Sequence, residues 1–426
     1  MMKNMENNAI ELNYEYLKIY GKNGIVIIHN IQNKKYVKIT KEIFSYFKIA
    51  SDCRMEIDSF LKSFKNEEDR VYMNKITNIM YRSNIIKNSE YELNDVGIDI
   101  HFCITNRCNL RCRHCFMSCE NELAGEVTKN DICRMIDNIS ELPVNNLVIS
   151  GGEPLIREDF HEIVSYLTEK NMCKSVHLST NGTLIDGTNV EFIKENFDIV
   201  DISIDGVDEK TCSKIRGIGV FDKVINSVNL LKNFNFSEIT LSMIIDKKNL
   251  DLYEEFIHLN DTLDTKPIVR HFIPKGRGKD NSYILTDSDT VLPLSIPVSL
   301  GESIRKGDFF RYTPFGCNAG VGQIFINYNG DIYPCPSMIK DEYLMGNILD
   351  YRFVDLYKNN KITSTDSYKK IEKLFPYNID GCKDCDVSLF CLKCPSNVDI
   401  IKDDDILKKE WCVAMKDNVR RLVWRI

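Results

Sequence analysis

The stretch GIDIHFCITNRCNLRCRHC, Gly97 to Cys115, sets a β-rich run directly against three cysteines spaced C-x3-C-x2-C. GIDIHFCI reads as a strand and CNLRCRHC as the loop at its carboxyl end. Three thiolates on one loop, Cys108, Cys112 and Cys115, can wrap one corner of a [4Fe–4S] cube and leave its fourth iron open to a ligand, whereas structural zinc is closed by four ligands. With 16 cysteines in 426 residues the spacing is expected by chance about 0.02 times, so it is a good signal that needs companions.

The companions follow along the chain. From Gly97 to about Ile273 strands and helices alternate. The expected strands are GIDIHFCI, NLVIS (146–150), SVHLS (175–179), IVDISI (199–204), EITLSMII (238–245) and VRHFI (269–273). Helical segments such as KNDICRMIDNISE, DFHEIVSYLTEK, FDKVINSVNLLKNF and LDLYEEFIHLN separate them. Six βα units predict an α/β fold with a parallel sheet curled into a partial (β/α)6 barrel, its chemistry at the carboxyl ends of the strands. SGGEP (150–154) ends the second strand, STNG (179–182) the third and SIDG (203–206) the fourth. The two glycines of SGGEP let a ligand come close to the backbone, and Glu153 can accept from an ammonium group.

Composition, 43% hydrophobic and 27% charged, is that of a globular protein. No run reaches the roughly 18 apolar residues of a membrane span, and the start MMKNMENNAIELNYEYL lacks the pattern of a signal peptide. A net charge of -7 gives no general attraction to nucleic acid. The expectation is a cytoplasmic protein without membrane or nucleic-acid partners. There, clustered thiols point to metal rather than to disulfides. Five cysteines fall between Cys103 and Cys119 and seven between Cys317 and Cys412; Cys53, Cys133, Cys173 and Cys212 read as small buried apolar residues.

Three domains are expected, with boundaries at 1–92, 93–300 and 301–426. In the first, GIVIIHNIQNKKYVKI predicts a hairpin around NIQNKK. Three helical stretches follow, the first capped by Thr40 and the last carrying Val71, Ile76, Ile79 and Met80 at helical spacing. Hairpin plus three helices suits a winged-helix-like domain. It has no basic stripe, so peptide binding is favoured over DNA binding.

With the cysteine trio and the strand-end loops in view, the chain resembles the radical S-adenosylmethionine (SAM) enzymes. The resemblance implies that Cys108, Cys112 and Cys115 hold a [4Fe–4S] cluster whose open iron binds the methionine part of SAM. It assigns Gly151, Gly152 and Glu153 to the methionine amine, places Ser179, Asn181 and Arg216 near SAM, and sets Phe116 near the adenine. Its chemistry is reductive cleavage of SAM to a 5'-deoxyadenosyl radical that removes a substrate hydrogen atom.

The tail carries Cys317, a hairpin INYNGDIYP turning at Asn329-Gly330, then Cys335, and the run GCKDCDVSLFCLKC before Cys412. Alone, its C-x2-C pairs suit zinc knuckles. Behind a radical SAM barrel they are similar to the SPASM extension with two auxiliary [4Fe–4S] clusters. That resemblance groups Cys382, Cys385, Cys391 and Cys412 on one cluster, and Cys394 with Cys317 and Cys335 on the other. Two departures stand out: a final C-x2-C in place of C-x3-C, and no second cysteine shortly after Cys317. The second cluster is therefore open or has a non-cysteine ligand.

SPASM enzymes act mainly on peptides and proteins. In the related anaerobic sulfatase maturases an aspartate follows the hairpin cysteine, whereas here Pro336 does. The N-terminal pattern resembles the PqqD-like element that binds the leader of a ribosomally made precursor peptide. The expected activity is thus thioether formation, of the sactipeptide or ranthipeptide type, in such a peptide. A flavodoxin or ferredoxin would supply electrons. The alternatives are a carbon–carbon crosslink, a sulfatase-maturase-like oxidase, or a non-catalytic iron–sulfur or zinc protein.

Overall fold

The computed structural model describes residues 8–88, 97–120, 126–285, 316–391 and 394–424. Its described residues fall into two compact units, one from Met1–Asp95, Asp308–Asn318 and Leu374–Ile426, the other from Val96–Gly307 and Ala319–Lys373.

The first unit opens with β1 (Leu17–Lys22), β2 (Ile25–Asn30) and β3 (Tyr36–Thr40), an antiparallel sheet in that order. Helices α1 (Lys41–Asp52), α2 (Ile57–Lys62) and α3 (Glu67–Arg82) follow. The expected hairpin is β2–β3, and Thr40 caps α1 by accepting from the Ile43 N–H at 3.2 Å. Apolar residues of the sheet and helices share one core that includes Val26, Ile28, Phe47, Phe60, Met73, Ile76 and Met80. On α3 the buried face is Met73, Ile76, Thr77 and Met80, while Val71 and Ile79 are 62% and 40% exposed. The helical period holds, but these two residues of the expected stripe lie off its buried side.

The second unit alternates β4 (Ile98–Cys103), α4 (Lys129–Ser140), β5 (Val144–Ser150), α5 (Phe160–Glu169), β6 (Cys173–Thr180), α6 (Val190–Asn196) and β7 (Ile199–Ser203). It continues with α7 (Glu209–Arg216), α8 (Val220–Asn233), β8 (Ile239–Ile245), α9 (Tyr253–Leu263), β9 (Lys266–His271) and the short α10 (Arg277–Asp280). Strands β4 to β9 pair in sequence order, all parallel. From the tail come β10 (Gln323–Ile326), β11 (Asp331–Tyr333) and β12 (Gly346–Asn347). β10 joins β4 in parallel, and β11 and β12 continue the sheet antiparallel, making nine strands. The tail hairpin was expected; its place in the barrel sheet was not.

A parallel sheet with both faces covered is usually apolar on both. Here the register puts Ile100, Phe102, Leu147, Ile149, Leu178, Val200, Ile202 and Leu241 on one fully buried face. Asp99, His101, Asn146, His177, Asp201, Ser203, Thr240, Ser242 and Arg270 alternate onto the other. These polar side chains bond across strands: Asn146 to Asp99 at 2.8 Å, Thr240 to Asp201 at 3.0 Å and Arg270 to Asp201 at 2.6 Å.

The described tail adds α11 (Arg352–Lys358) and α12 (Asp366–Glu372) to the second unit, and α13 (Ser388–Cys391), α14 (Pro395–Ile401) and α15 (Asp405–Val423) to the first. Among the described residues no helix is long and apolar enough to cross a membrane.

Candidate metal centre and cofactor site

The loop after β4 carries Cys108 and Cys112, both buried, and the half-buried Cys115. It is closed on itself by the Cys108 N–H to the Glu120 carbonyl, 2.7 Å, and the Cys115 N–H to the Cys112 carbonyl, 3.2 Å. A second segment, after β9, grips it from outside. Arg277 donates to the carbonyls of Cys112 (3.2 Å) and Cys119 (2.7 Å) and to the Glu120 carboxylate (3.2 Å), and its N–H reaches the Ser118 hydroxyl at 2.9 Å. Gly276, at φ +53°, permits this approach, because a Cβ there would lie 2.5 Å from the Phe116 carbonyl oxygen and 2.7 Å from that of Cys115.

The SGGEP turn lies on the same loop from the other side. The Gly152 and Glu153 N–H groups donate to the carbonyls of Thr105 and Arg107, each at 2.8 Å. A Cβ on Gly151 would meet the Thr105 oxygen at 2.4 Å, and one on Gly152 the Arg107 oxygen at 2.2 Å. The close approach that these glycines permit is thus made by the cysteine loop's own backbone. Glu153 is fully buried and accepts from Thr180 Oγ1 (2.7 Å), the Asn181 N–H (2.7 Å) and the Leu155 N–H (3.2 Å). Burial pushes its carboxyl up against the pull of these bonds. A carboxylate has about four acceptor positions, so one is left for a further donor.

Beyond β7, Asp205 sits in the left-handed region at φ +52° and is 2% exposed. Its carboxylate takes both His114 Nε2 (2.6 Å) and the Arg216 guanidinium (2.6 Å), and accepts the Ile244 N–H at 2.6 Å. Burial alone would raise its carboxyl, but Arg216 and His114 outweigh that and hold it far below the carboxylate range. Arg216 in turn points Nη1 at Cys112 Sγ, 3.9 Å, and Asn181 points Nδ2 at Cys108 Sγ, 3.8 Å.

These residues fit an iron–sulfur group. Burial pushes the Cys108 thiol up to about 11 and raises that of Cys112, so as bare thiolates they lack compensation that iron would provide. The Cys119 thiol holds Cys115 below the thiol range. Three N–H donors already address the sulfurs, the Leu110 N–H at 3.4 Å from Cys108 Sγ besides Asn181 and Arg216, as ligating thiolates require. Among the described residues no three His, Cys, Asp or Glu converge as a single ion would need. Three thiols on one loop can take three different irons of one cube.

Cys108, Cys112, Cys115, Gly151, Gly152, Glu153, Asn181 and Arg216 are brought together at the carboxyl ends of β4 to β7. Ser179 stands on the polar face of β6 opposite Asp201. Phe116 is 38% exposed, whereas His114, two residues earlier in the loop, is partly buried against Asp205. Of the four cysteines read as small buried residues Cys212 is buried, Cys133 and Cys173 are only partly buried, and Cys53 is exposed just beyond α1; Cys103 is buried at the end of β4. Cys119, in the same loop, is also buried and donates to Asn106 Oδ1 at 3.0 Å. Sequence reasoning missed Arg277, His114 and Asp205. The only signals were the Gly-Arg-Gly after the last barrel strand, a histidine between two cysteines, and the aspartate of SIDG.

In the first unit four thiols lie within mutual electrostatic reach. Burial pushes Cys391 up to about 12, with Cys382, Cys412 and Cys385 adding to the rise. Cys382 is raised the same way, by burial and then by Cys385 and Cys412. Cys317 and Cys394 belong to this unit, and Cys335, two residues beyond β11, to the other.

Residues 102–259 match the radical SAM superfamily, and residues 317–386 match the iron–sulfur cluster-binding domain called SPASM. The mycofactocin maturase MftC of Mycobacterium tuberculosis is 30% identical over 308 residues, 68% of this chain and 76% of that protein. The AdoMet-dependent heme synthase of Methanosarcina barkeri is 24% identical over 342 residues, 73% of this chain and 94% of that protein. The fold is similar to that of Streptococcus suis SuiB bound to S-adenosylmethionine, with a TM-score of 0.56, 16% identity and coverage of 93% of this chain and 98% of that one. SuiB bound to its precursor peptide SuiA gives 0.55 at 16% identity, covering 93% and 97%. The three-cysteine loop, the sheet that carries it and the relatives agree: this chain belongs to the radical SAM superfamily, in the group with a SPASM iron–sulfur domain.

Proposed function

We propose that the chain is a maturase of a ribosomally made peptide that installs thioether crosslinks between a cysteine sulfur and a peptide carbon. The supporting observation is the pairing of the cysteine loop, backed by SGGEP and Arg216, with a likeness over 68% of the chain to MftC, a relative named as a mycofactocin maturase. Cys108, Cys112 and Cys115 would hold the SAM-site cluster, and Gly151, Gly152, Glu153, Ser179, Asn181, Arg216 and Phe116 would surround SAM. Bound there, the reduced cluster supplies the electron that cleaves SAM to methionine and a 5'-deoxyadenosyl radical.

Glu153 has one acceptor position for the methionine amine, and Arg216 and Asn181 steady the Cys112 and Cys108 sulfurs. Cys382, Cys385, Cys391 and Cys412 would hold one auxiliary cluster, and Cys317, Cys335 and Cys394 three corners of another. Residues 1–92 would act as a PqqD-like leader-binding domain, 93–300 as the barrel and 301–426 as the SPASM domain. The three-stranded sheet with its three helices supports peptide docking, since a sheet edge can accept a further strand.

The test is anaerobic co-expression with a short cysteine-containing peptide encoded beside the gene. The peptide should lose about 2 Da per crosslink, the hydrogen atom from carbon passing to the 5'-deoxyadenosyl radical, the thiol proton to solvent and the remaining electron to an auxiliary cluster, and should resist thiol alkylation. Cys112→Ala should abolish both the mass change and 5'-deoxyadenosine formation. Formation of 5'-deoxyadenosine with an unchanged peptide would overturn the substrate, and a mass loss with the thiol still alkylated would favour a carbon–carbon link.

A further inference from the structure

Trp411, the residue before Cys412 in α15, is 6% exposed, and its indole Nε1–H donates to Cys391 Sγ at 3.3 Å. Cys391 ends α13, and α13 packs on α15, so the bond bridges two helices that each carry one of the four clustered thiols. Indole N–H is a donor only, and in a buried site it needs an acceptor. The acceptor here is sulfur. The protein's second tryptophan, Trp424, instead donates to the Asp386 carbonyl at 3.2 Å.

A hydrogen bond to a ligating sulfur acts on the energy of the cluster electrons. Each electron added to an iron–sulfur cluster increases negative charge on its sulfurs, so an N–H donor binds the reduced form more strongly than the oxidised form. Hydrogen bonds to the sulfurs are accordingly among the factors that set the reduction potential. Around this site Asp386, next to Cys385, is paired with Lys22 at 2.6 Å and with Arg420 at 2.8 Å, and the charges of Lys408 and Lys416 also act on Cys382. The indole N–H is the side-chain donor placed directly on the Cys391 sulfur.

We propose that Trp411 raises the reduction potential of the auxiliary cluster held by Cys382, Cys385, Cys391 and Cys412, through its N–H to S hydrogen bond to Cys391. The inference rests on the ligand assignment made above for those four cysteines. Trp411 is a positioning and tuning residue, not a catalytic one.

The test uses the full chain, anaerobically reconstituted, with EPR-monitored redox titration of Trp411→Phe, which keeps an aromatic ring in the buried space and deletes the donor. One midpoint should fall, so that at a fixed potential that cluster is about tenfold less reduced, which is about 59 mV for one electron. Iron content and the other midpoints should stay as in the parent chain. A second measurement does not depend on that variant folding. Since the chain has 2 tryptophans, Trp424→Phe leaves Trp411 as the sole indole, and 15N-indole labelling should give a 15N coupling in pulsed EPR of the reduced cluster. Full iron with unmoved midpoints, or no 15N coupling, overturns this inference alone. A parent chain that takes up only about four irons overturns the auxiliary-ligand assignment and this inference with it.

Discussion

Gly152 shows why a single atom governs the centre. Its Cβ position is walled by backbone on one side, 2.2 Å from the Arg107 oxygen, and by Cys108 Cβ at 3.0 Å on the other. Nothing flexible can yield there, so Gly152→Ala must push the SGGEP turn off the loop that carries the first cysteine. Overpacking of this kind costs about 1–3 kcal/mol, and the displaced Cys108 should no longer close the cluster. We expect Gly152→Ala to lose about four irons of about twelve while its melting temperature falls only modestly. Full iron content with normal SAM cleavage would contradict this reading. The two glycines and Glu153 were visible in sequence. The identity of what approaches them was not, because that depends on two loops 45 positions apart meeting in space.

At the scale of the element, the strands of the barrel carry a polar face that the alternation alone makes legible. His101 lies on it, and burial, with Arg270 adding to the effect, depresses its imidazole to about 4 from 6.5, against the opposing pull of Asp201 and Asp99. The unfolded chain binds a proton between these values that the folded chain refuses. Stability is therefore fully present above about pH 6.5 and declines as pH falls toward 4. The loss between about pH 7 and pH 5 should be about 2 kcal/mol from this group. Denaturant titrations of the parent and of His101→Gln at both pH values should show a smaller pH difference in the variant; an equal difference would refute the assignment. Elements with a strong period were the ones read correctly. In the barrel α6 and α7 were not singled out, having 7 and 8 residues, too few for an apolar stripe to declare itself, and in the tail α11 to α15 were not read, the 19-residue α15 included. Strand β1 is half exposed, with no fully buried residue to mark a core face. The last barrel strand begins three residues early, at Lys266, because Pro267 is tolerated on the edge that β9 occupies.

At the scale of the whole molecule, the tail is structural for the barrel. β10 covers the free edge of β4, the strand that leads into the cysteine loop, with four residues in parallel register. A chain ending at residue 300 would leave that edge as a row of unpaired N–H and C=O groups. We expect such a truncation to aggregate or to elute as high-mass species on gel filtration. A soluble monomer with a SAM-site cluster would show that the hairpin is dispensable.

Residue spacing, strand alternation and the order of the loops were enough to read the α/β architecture and the cysteine trio, and it is on these that the resemblance to the superfamily rests. Each of these is written in local sequence, where a period of two or a gap of three residues has direct geometric meaning. Tertiary structure alone decided that the tail hairpin extends the barrel sheet and that Arg277 clamps the cysteine loop. It also decided that Asp205 joins His114 to Arg216 and that Trp411 reaches Cys391. Those contacts link residues from 11 to well over 200 positions apart, and long-range partners leave no periodic trace in a single chain.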